Sequence, residues 1–340
     1  MESIILMNSK WGNDMFVPMY LFFGGLSGGL FVVAVAADLI GIKLKQFENF
    51  SKITAVLCLP VLALAGAFIA FHLGKPERGI LFPFFFKNYS SWLVIGGWSV
   101  GLAIPLVVSY AAMWHFRVNQ TYRRIVGVIG MPLLGFVSFY TGLLLSGAMF
   151  VPLWSMKFLP YLFLNSGVLT GLAGSGLVYI LYQAFFTQNV SQETASGSED
   201  SSKIISILGY AILVFIFIEL VEIQIFMDYL ASNPIKDDNS GLFIAPNGSE
   251  FVYEYVTQGP LSTWFWWGII GLGLTLPLVI GLIELIFEKV IKTYKNWVSG
   301  FKFASILVGG AILRFVIVWG GEVKAPLAMP PALFQIPIGG

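Results

Sequence analysis

Eight apolar runs, at about residues 16–41, 51–72, 92–116, 125–148, 159–186, 203–230, 262–288 and 300–320, dominate this 340-residue chain. Runs of roughly 20 residues at a rise of about 1.5 Å each are long enough to cross a bilayer's hydrocarbon core. Lipid offers no partner to backbone N–H and C=O groups, so each run must satisfy its own and fold as a helix. The sequence therefore predicts an all-α integral membrane protein with eight transmembrane helices. Its 57% apolar and 11% charged residues lie well outside the soluble range and leave no basic surface for nucleic acid. The first fifteen residues are polar and mixed, with Lys10 and Asp14, and the run after them is too long for a signal-peptide core. It reads as a retained first helix.

An even number of spans puts both termini on one side. The loops after spans 1, 3, 5 and 7 carry eleven Lys and Arg, and the other side carries seven. Cationic loops stay inside, so both termini are expected on the outer face. The long segment 231–261 and the tail 321–340 then share that face with the loop 73–91. Gly25-Leu26-Ser27-Gly28-Gly29-Leu30 in span 1 is echoed by Gly171-Leu172-Ala173-Gly174-Ser175-Gly176-Leu177 in span 5. Both spans run in the same direction, which fits two four-helix bundles, 1–150 and 151–340, in parallel orientation. Small residues also recur wherever membrane helices pack closely.

Polar side chains inside spans are costly and mark candidate sites. Tyr140 lies roughly 12 Å below the outer end of span 4. His72 closes span 2 on the same side. Glu219 and Glu222, three apart and so on one helix face, lie in the outer half of span 6, with Asp228 nearer its end. Arg314 is within two turns of the outer end of span 8. Asp38 and Glu284 lie instead near the inner ends of spans 1 and 7, as end-of-helix residues near headgroups. Trp264-Phe265-Trp266-Trp267 opens span 7 as an interfacial girdle. The chain is read as leaving the membrane after span 4 at Val151-Pro152-Leu153-Trp154.

Cys58 is the one cysteine, so no cysteine cluster is available for iron–sulfur or zinc. Bis-histidine haem ligation needs two histidines at one depth, whereas His72 and His115 end their spans on opposite faces. No haem and no metal are expected in this chain. The glycines of spans 1 and 5 lie inside helices and form no nucleotide fingerprint.

Several stretches carry a family resemblance: Val17-Pro18-Met19-Tyr20-Leu21-Phe22-Phe23-Gly24-Gly25, Leu73-Gly74-Lys75-Pro76-Glu77-Arg78, Tyr140-Thr141-Gly142-Leu143-Leu144 with Pro152-Leu153-Trp154 and Leu159-Pro160, and Leu313-Arg314-Phe315-Val316-Ile317-Val318 before Gly320-Gly321. In order and spacing they resemble the NrfD/polysulfide-reductase membrane-subunit family, the quinone-interacting anchors of iron–sulfur and molybdopterin oxidoreductases. The resemblance implies a prokaryotic plasma-membrane subunit that is not a complete enzyme alone. It implies a quinone, menaquinone ahead of ubiquinone, contacted by Tyr140 near the electron-donating side. It further implies an iron–sulfur partner docked on the outer face beside a molybdopterin-type catalytic subunit. His72 stands where the family commonly has Asp, and Lys75 where it has Arg. Asn13 is a loose candidate for a span-1 quinone contact, and Gly28 belongs to the span-1 framework of the pocket.

On this reading Tyr140 donates to a quinone oxygen and His72 relays a proton. Arg314 with Glu219 or Glu222 reads either as a structural salt bridge tying spans 6 and 8 or as the start, with both glutamates, of a proton path toward Glu284, with Asp38 a further candidate on the inner side. The rival is a secondary transporter with its site between the bundles, its helices broken at Pro132 and the glycine runs.

Overall fold

The computed structural model describes residues 15–73, 85, 88–148, 151–186, 194–232, 248–286 and 295–322. Asn13, most of the loop 73–91, much of the segment 231–261 and most of the tail lie outside the described residues. The helices are α1 (Phe16–Ile40), α2 (Gln46–Leu73), α3 (Trp92–His115), α4 (Gln120–Ser146), α5 (Leu159–Phe186), α6 (Thr194–Ala231), α7 (Gly248–Thr257), α8 (Trp264–Ile286) and α9 (Lys295–Glu322). Eight of these, all but α7, are long and apolar enough to cross a membrane, and no strand occurs among the described residues. The expected all-α, eight-span fold is what the chain adopts.

Several helices start earlier than their apolar runs. α2 and α4 each begin about a turn earlier than hydropathy indicates, and α6 earlier still, because polar residues extend a helix beyond the lipid-facing part. At α4 the Asn119 side chain accepts from the Thr121 N–H at 2.9 Å and so caps the added turn. Pro60, Pro105 and Pro132 sit inside uninterrupted helices, so Pro132 breaks nothing. Val151–Trp154 lies between the spans α4 and α5, as expected, and is buried against protein there: its short 3₁₀ turn lets Trp154 Nε1 donate to Ile317 O at 2.8 Å.

α1 is the central helix, with 78% of its apolar stretch covered by protein against 28% for α3. It packs on α2 through Phe23 stacked on Phe68, on α4 through Gly24 and Gly28, and on α5 through Gly25 and Gly29. In lipid no hydrophobic force draws helices together, and small residues are what allow close van der Waals contact. A Cβ on Gly29 would stand 1.8 Å from Gly167 O, and one on Gly171 would stand 2.4 Å from the Gly29 carbonyl carbon. The two glycine-rich stretches that echo each other in sequence thus meet at one helix crossing. Successive spans alternate in direction, so α1 begins and α9 ends on the same face, called here the terminal face.

One irregularity was invisible to hydropathy. Trp264–Thr275 of α8 is a π-helix, and the Leu276 N–H reaches Gly271 O, five residues back. Gly268 and Gly273 both lie against α9, at Ile312 and Gly309. Five residues on a regular α-helix would point about 140° apart. The wider winding is what brings both glycines onto α9.

At the face opposite the termini, Asp38 is fully buried, not a headgroup residue. Arg123 grips it with Nε at 2.8 Å and Nη2 at 2.7 Å, Arg124 Nε donates at 3.1 Å and the Tyr110 hydroxyl donates at 3.0 Å. The Arg123 guanidinium also lies 3.4 Å from the centre of the Trp114 ring. This knot ties α1, α3 and α4. Removing one partner of a buried pair costs about 3–5 kcal/mol because the other charge is stranded. Arg123→Ala is therefore expected to lower the melting temperature in detergent far more than Arg117→Ala; equal melting of the two variants would remove the knot from the fold's stability.

Candidate functional site

Two polar clusters lie in the terminal-face half of the spans. The first is built on Tyr140, one of the best-buried side chains of α4 at 2% exposure. Its ring lies flat on α3 where Gly96 leaves room: a Cβ there would be 1.6 Å from Tyr140 Cζ. Phe136 lies 6.4 Å away, centroid to centroid. The polar group nearest its hydroxyl is the phenol of Tyr20, one turn into α1. Sequence reasoning placed Tyr20 in a family stretch without singling it out. The signal was available, since it is a second phenol in an apolar run at the depth of Tyr140.

His72 lies half-buried at the end of α2 on this same face. α2 approaches a different side of α1 from α4: Phe68 and Phe71 pack on Phe16 at 6.3 and 6.1 Å, one turn above Tyr20. Gly28 lies two turns deeper than Tyr20, closed in the α1–α4 contact, where a Cβ would be 2.3 Å from Ser138 Oγ. It serves the packing of the framework and does not open onto the phenols.

The second cluster joins α5, α6 and α9. Arg314, 1% exposed, donates from Nη1 to Ser166 Oγ at 2.6 Å and from Nη2 to Phe163 O at 3.3 Å, with its guanidinium 4.4 Å from the Phe163 ring centre. Ser166 and Glu219 line one cavity, so the hydroxyl that holds the guanidinium stands beside the carboxylate. Next to it Asn165 lies near Glu222 and donates to Phe215 O at 3.2 Å. Among the described residues Arg314 and Glu219 form no direct salt bridge; Ser166, which Arg314 holds, lies between them at the cavity wall. Sequence reasoning missed Asn165 and Ser166, although adjacent polar residues about two turns into an apolar span were a readable signal. Glu219 Oε2, Glu222 Oε2 and Arg314 Nε have no hydrogen-bond partner among the described residues. Glu219, Ser166 and Thr170 line a small cavity of about 10 Å³, walled by Gly273 of the π-helix and by Gly309 and Gly310 of α9.

The remaining candidates lie at the opposite face. Asp38 belongs to the arginine knot, and with both oxygens taken it does not join the Glu219 cluster. Glu284 accepts from Ser299 Oγ at 2.7 Å and pairs with Lys302, which the sequence places among the loop cations. Among the described residues, no three His, Cys, Asp or Glu side chains gather as metal ligands.

Eight spans around a glycine-welded core, with paired phenols and a buried Arg–Ser–Glu cluster in one half, define a polytopic membrane protein with internal polar sites. The chain belongs to the polysulphide reductase NrfD family, whose model matches residues 6–326. It is similar to a polysulfide reductase chain of Wolinella succinogenes, with 23% identity covering 93% of this chain and 99% of that protein. It is also similar to a selenate reductase subunit of Mesobacillus selenatarsenatis, with 21% identity covering 91% of this chain and 73% of that one. Both relatives are named as one subunit of a reductase, and membership makes this chain a membrane subunit of an oxidoreductase.

Proposed function

We propose that this subunit exchanges electrons between a membrane quinone, menaquinone in the first instance, and an iron–sulfur subunit docked on the terminal face. The observation that carries the reading is the buried Tyr20–Tyr140 phenol pair. A quinone needs a hydrogen-bond donor aimed at a carbonyl, flat apolar walls and a route for protons. Tyr140 supplies the donor, and Tyr20 is the acceptor that a quinone carbonyl would replace. Phe136 and the Phe16, Phe23, Phe68 and Phe71 group supply aromatic surface nearby. In the quinol-oxidising direction two electrons pass to the partner's iron–sulfur centre and two protons leave. A bound quinol would place its hydroxyl on the Tyr140 oxygen, and as Tyr140 took that proton it would release its own toward the Tyr20 phenol and the terminal face, where His72 at the end of α2 would pass protons to water. Reduction runs the same steps backward.

The terminal face is the outer one in this proposal. Arg123 and Lys302 are buried ion-pair partners and not free loop cations, which leaves nine cations against seven. That smaller excess keeps the same sign, so the orientation survives. Glu222, Glu219, Ser166 and Arg314 form the outer part of a proton path through α5, α6 and α9, separate from the phenols. Family membership supports this redox reading over the transporter, as do the unbroken proline-containing helices.

The test is to purify the assembled complex from its native membrane and extract it with organic solvent. One menaquinone per complex and quinol-dependent reduction of the partner's iron–sulfur centres are expected. A quinone-free complex that ignores added quinol, together with substrate flux through the chain alone in liposomes, would sink the proposal in favour of transport.

A further inference from the structure

We infer that the Lys302–Glu284 pair is a proton-exchange station at the face opposite the termini, and that it opens sideways between α6 and α8. The inference rests on the proton-path part of the reading above. It adds a basic residue and a route that the sequence did not show.

The observation is a contrast between two buried ion pairs at the same end of the molecule. Asp38 is sealed: it is fully buried and both oxygens are occupied by arginines and a tyrosine. Lys302 is as deeply buried, at 1% exposure, yet its partner Glu284 keeps 15% and faces a groove. Ser206, Gly209 and Tyr210 of α6 and Gly281 of α8 line that groove, which holds about 40 Å³ of space. The two glycines make it: a Cβ on Gly209 would point at Lys302 Nζ from 3.6 Å, and one on Gly281 would meet Leu213 at 2.7 Å. Lysine is almost never fully buried without a reason, and a buried pair adds little net stability over apolar packing. A pair kept only to tie helices has no need of a groove.

The pair also points at the Glu219 cluster. Lys302 and Arg314 lie on one helix, and between them Ile306, Gly309 and Gly310 wall the Glu219 cavity. Lys302 to Gly309 is about 10 Å of helix rise, a gap for water to span. At the half-way point Ser305 Oγ donates to Lys302 O at 2.8 Å. Transfer conserves charge. A proton entering by the groove binds the Glu284 carboxylate and releases its hold on the Lys302 ammonium. When that proton leaves toward Glu219, the carboxylate returns and the ion pair re-forms. The reverse order carries protons the other way, and no electron moves in either.

The decisive experiment uses the whole complex in proteoliposomes, with quinol turnover and proton movement recorded together. Glu284→Gln or Lys302→Met alone strands a buried charge, so the double variant is the informative one. It is expected to keep quinol turnover within about twofold of wild type and to lose turnover-linked proton translocation. A double variant that translocates like wild type overturns the inference, as does a wild-type complex that moves no protons across the membrane. Neither result touches the quinone reading, which stands or falls on quinol turnover itself. Should the double variant not assemble, wild-type complex treated with a lipid-soluble carbodiimide decides. The reagent adds to a protonated carboxyl that it reaches from the membrane, so mass spectrometry should find the adduct on Glu284 and not on Asp38. Adducts on neither, or on both, refute the groove as the entry route.

Discussion

Replacing Tyr140 by Phe should lower quinol-linked turnover of the assembled complex by about 100-fold or more, the usual worth of a positioned proton donor. The substitution removes one oxygen and nothing else. The ring still fills the space over Gly96 and still lies beside Phe136, so the α3–α4 contact is unchanged. What is lost is the hydroxyl beside Tyr20 in the resting protein and the proposed donor to a quinone carbonyl during turnover. The stranded Tyr20 hydroxyl costs about 1–3 kcal/mol if nothing replaces its partner, a modest fall in melting temperature without loss of assembly. Tyr20→Phe is the companion measurement. If Tyr140 is the donor and Tyr20 only its resting acceptor, Tyr20→Phe keeps most of the turnover and Tyr140→Phe does not. Equal and severe losses would make the two phenols one functional unit. Quinol kinetics unchanged in Tyr140→Phe would remove this cluster as the quinone site.

The fold was legible because lipid leaves a span little choice but to be a helix, so hydropathy alone locates α1 to α6, α8 and α9. The arrangement within the site was legible only in part. Depth along a helix can be counted from sequence, and it placed Tyr140, Glu219, Glu222 and Arg314 in the terminal-face half. Which helix faces which cannot be counted. Hence Tyr20 was not singled out, and Asn165 and Ser166 went unnamed, although each carries a polar group at the right level. The same blindness made Asp38 and Glu284 look alike. Both are carboxylates near the ends of spans at the opposite face, and only the packing shows one sealed by Arg123 and Arg124 and the other opening on a groove. The π-segment of α8 escaped for a related reason. Its apolar composition is that of any span, and its winding is set by the demand that Gly268 and Gly273 both meet α9.

Gly29→Val should prevent stable assembly, with a loss of about 3 kcal/mol or more, beyond the usual cost of overpacking a core. The atom a Cβ meets is Gly167 O at 1.8 Å, with the Gly167 carbon at 2.6 Å and Val168 N at 3.1 Å. All three are backbone. A flexible side chain could turn away, but here α1 and α5 must separate along their length. Separation costs twice, since the same crossing positions both polar clusters. Gly25, one turn away on the same face of α1, lies against the Arg314 guanidinium, where a Cβ would be 3.4 Å from Nη2. Tyr20, on the adjoining face of the same helix, meets Tyr140. Moving α1 off α5 therefore disturbs the phenol pair and the Arg–Ser–Glu cluster together, even in whatever fraction still folds. Gly66→Ala is the control: nothing lies within 4 Å of a Cβ there, and alanine is the better helix former by up to about 1 kcal/mol. Membrane abundance and thermal unfolding in detergent should place Gly66→Ala at or above wild type and Gly29→Val far below. A Gly29→Val protein that melts like wild type would mean that α1 and α5 do not cross at glycine distance, and the shared placement of the two clusters would lose its structural basis.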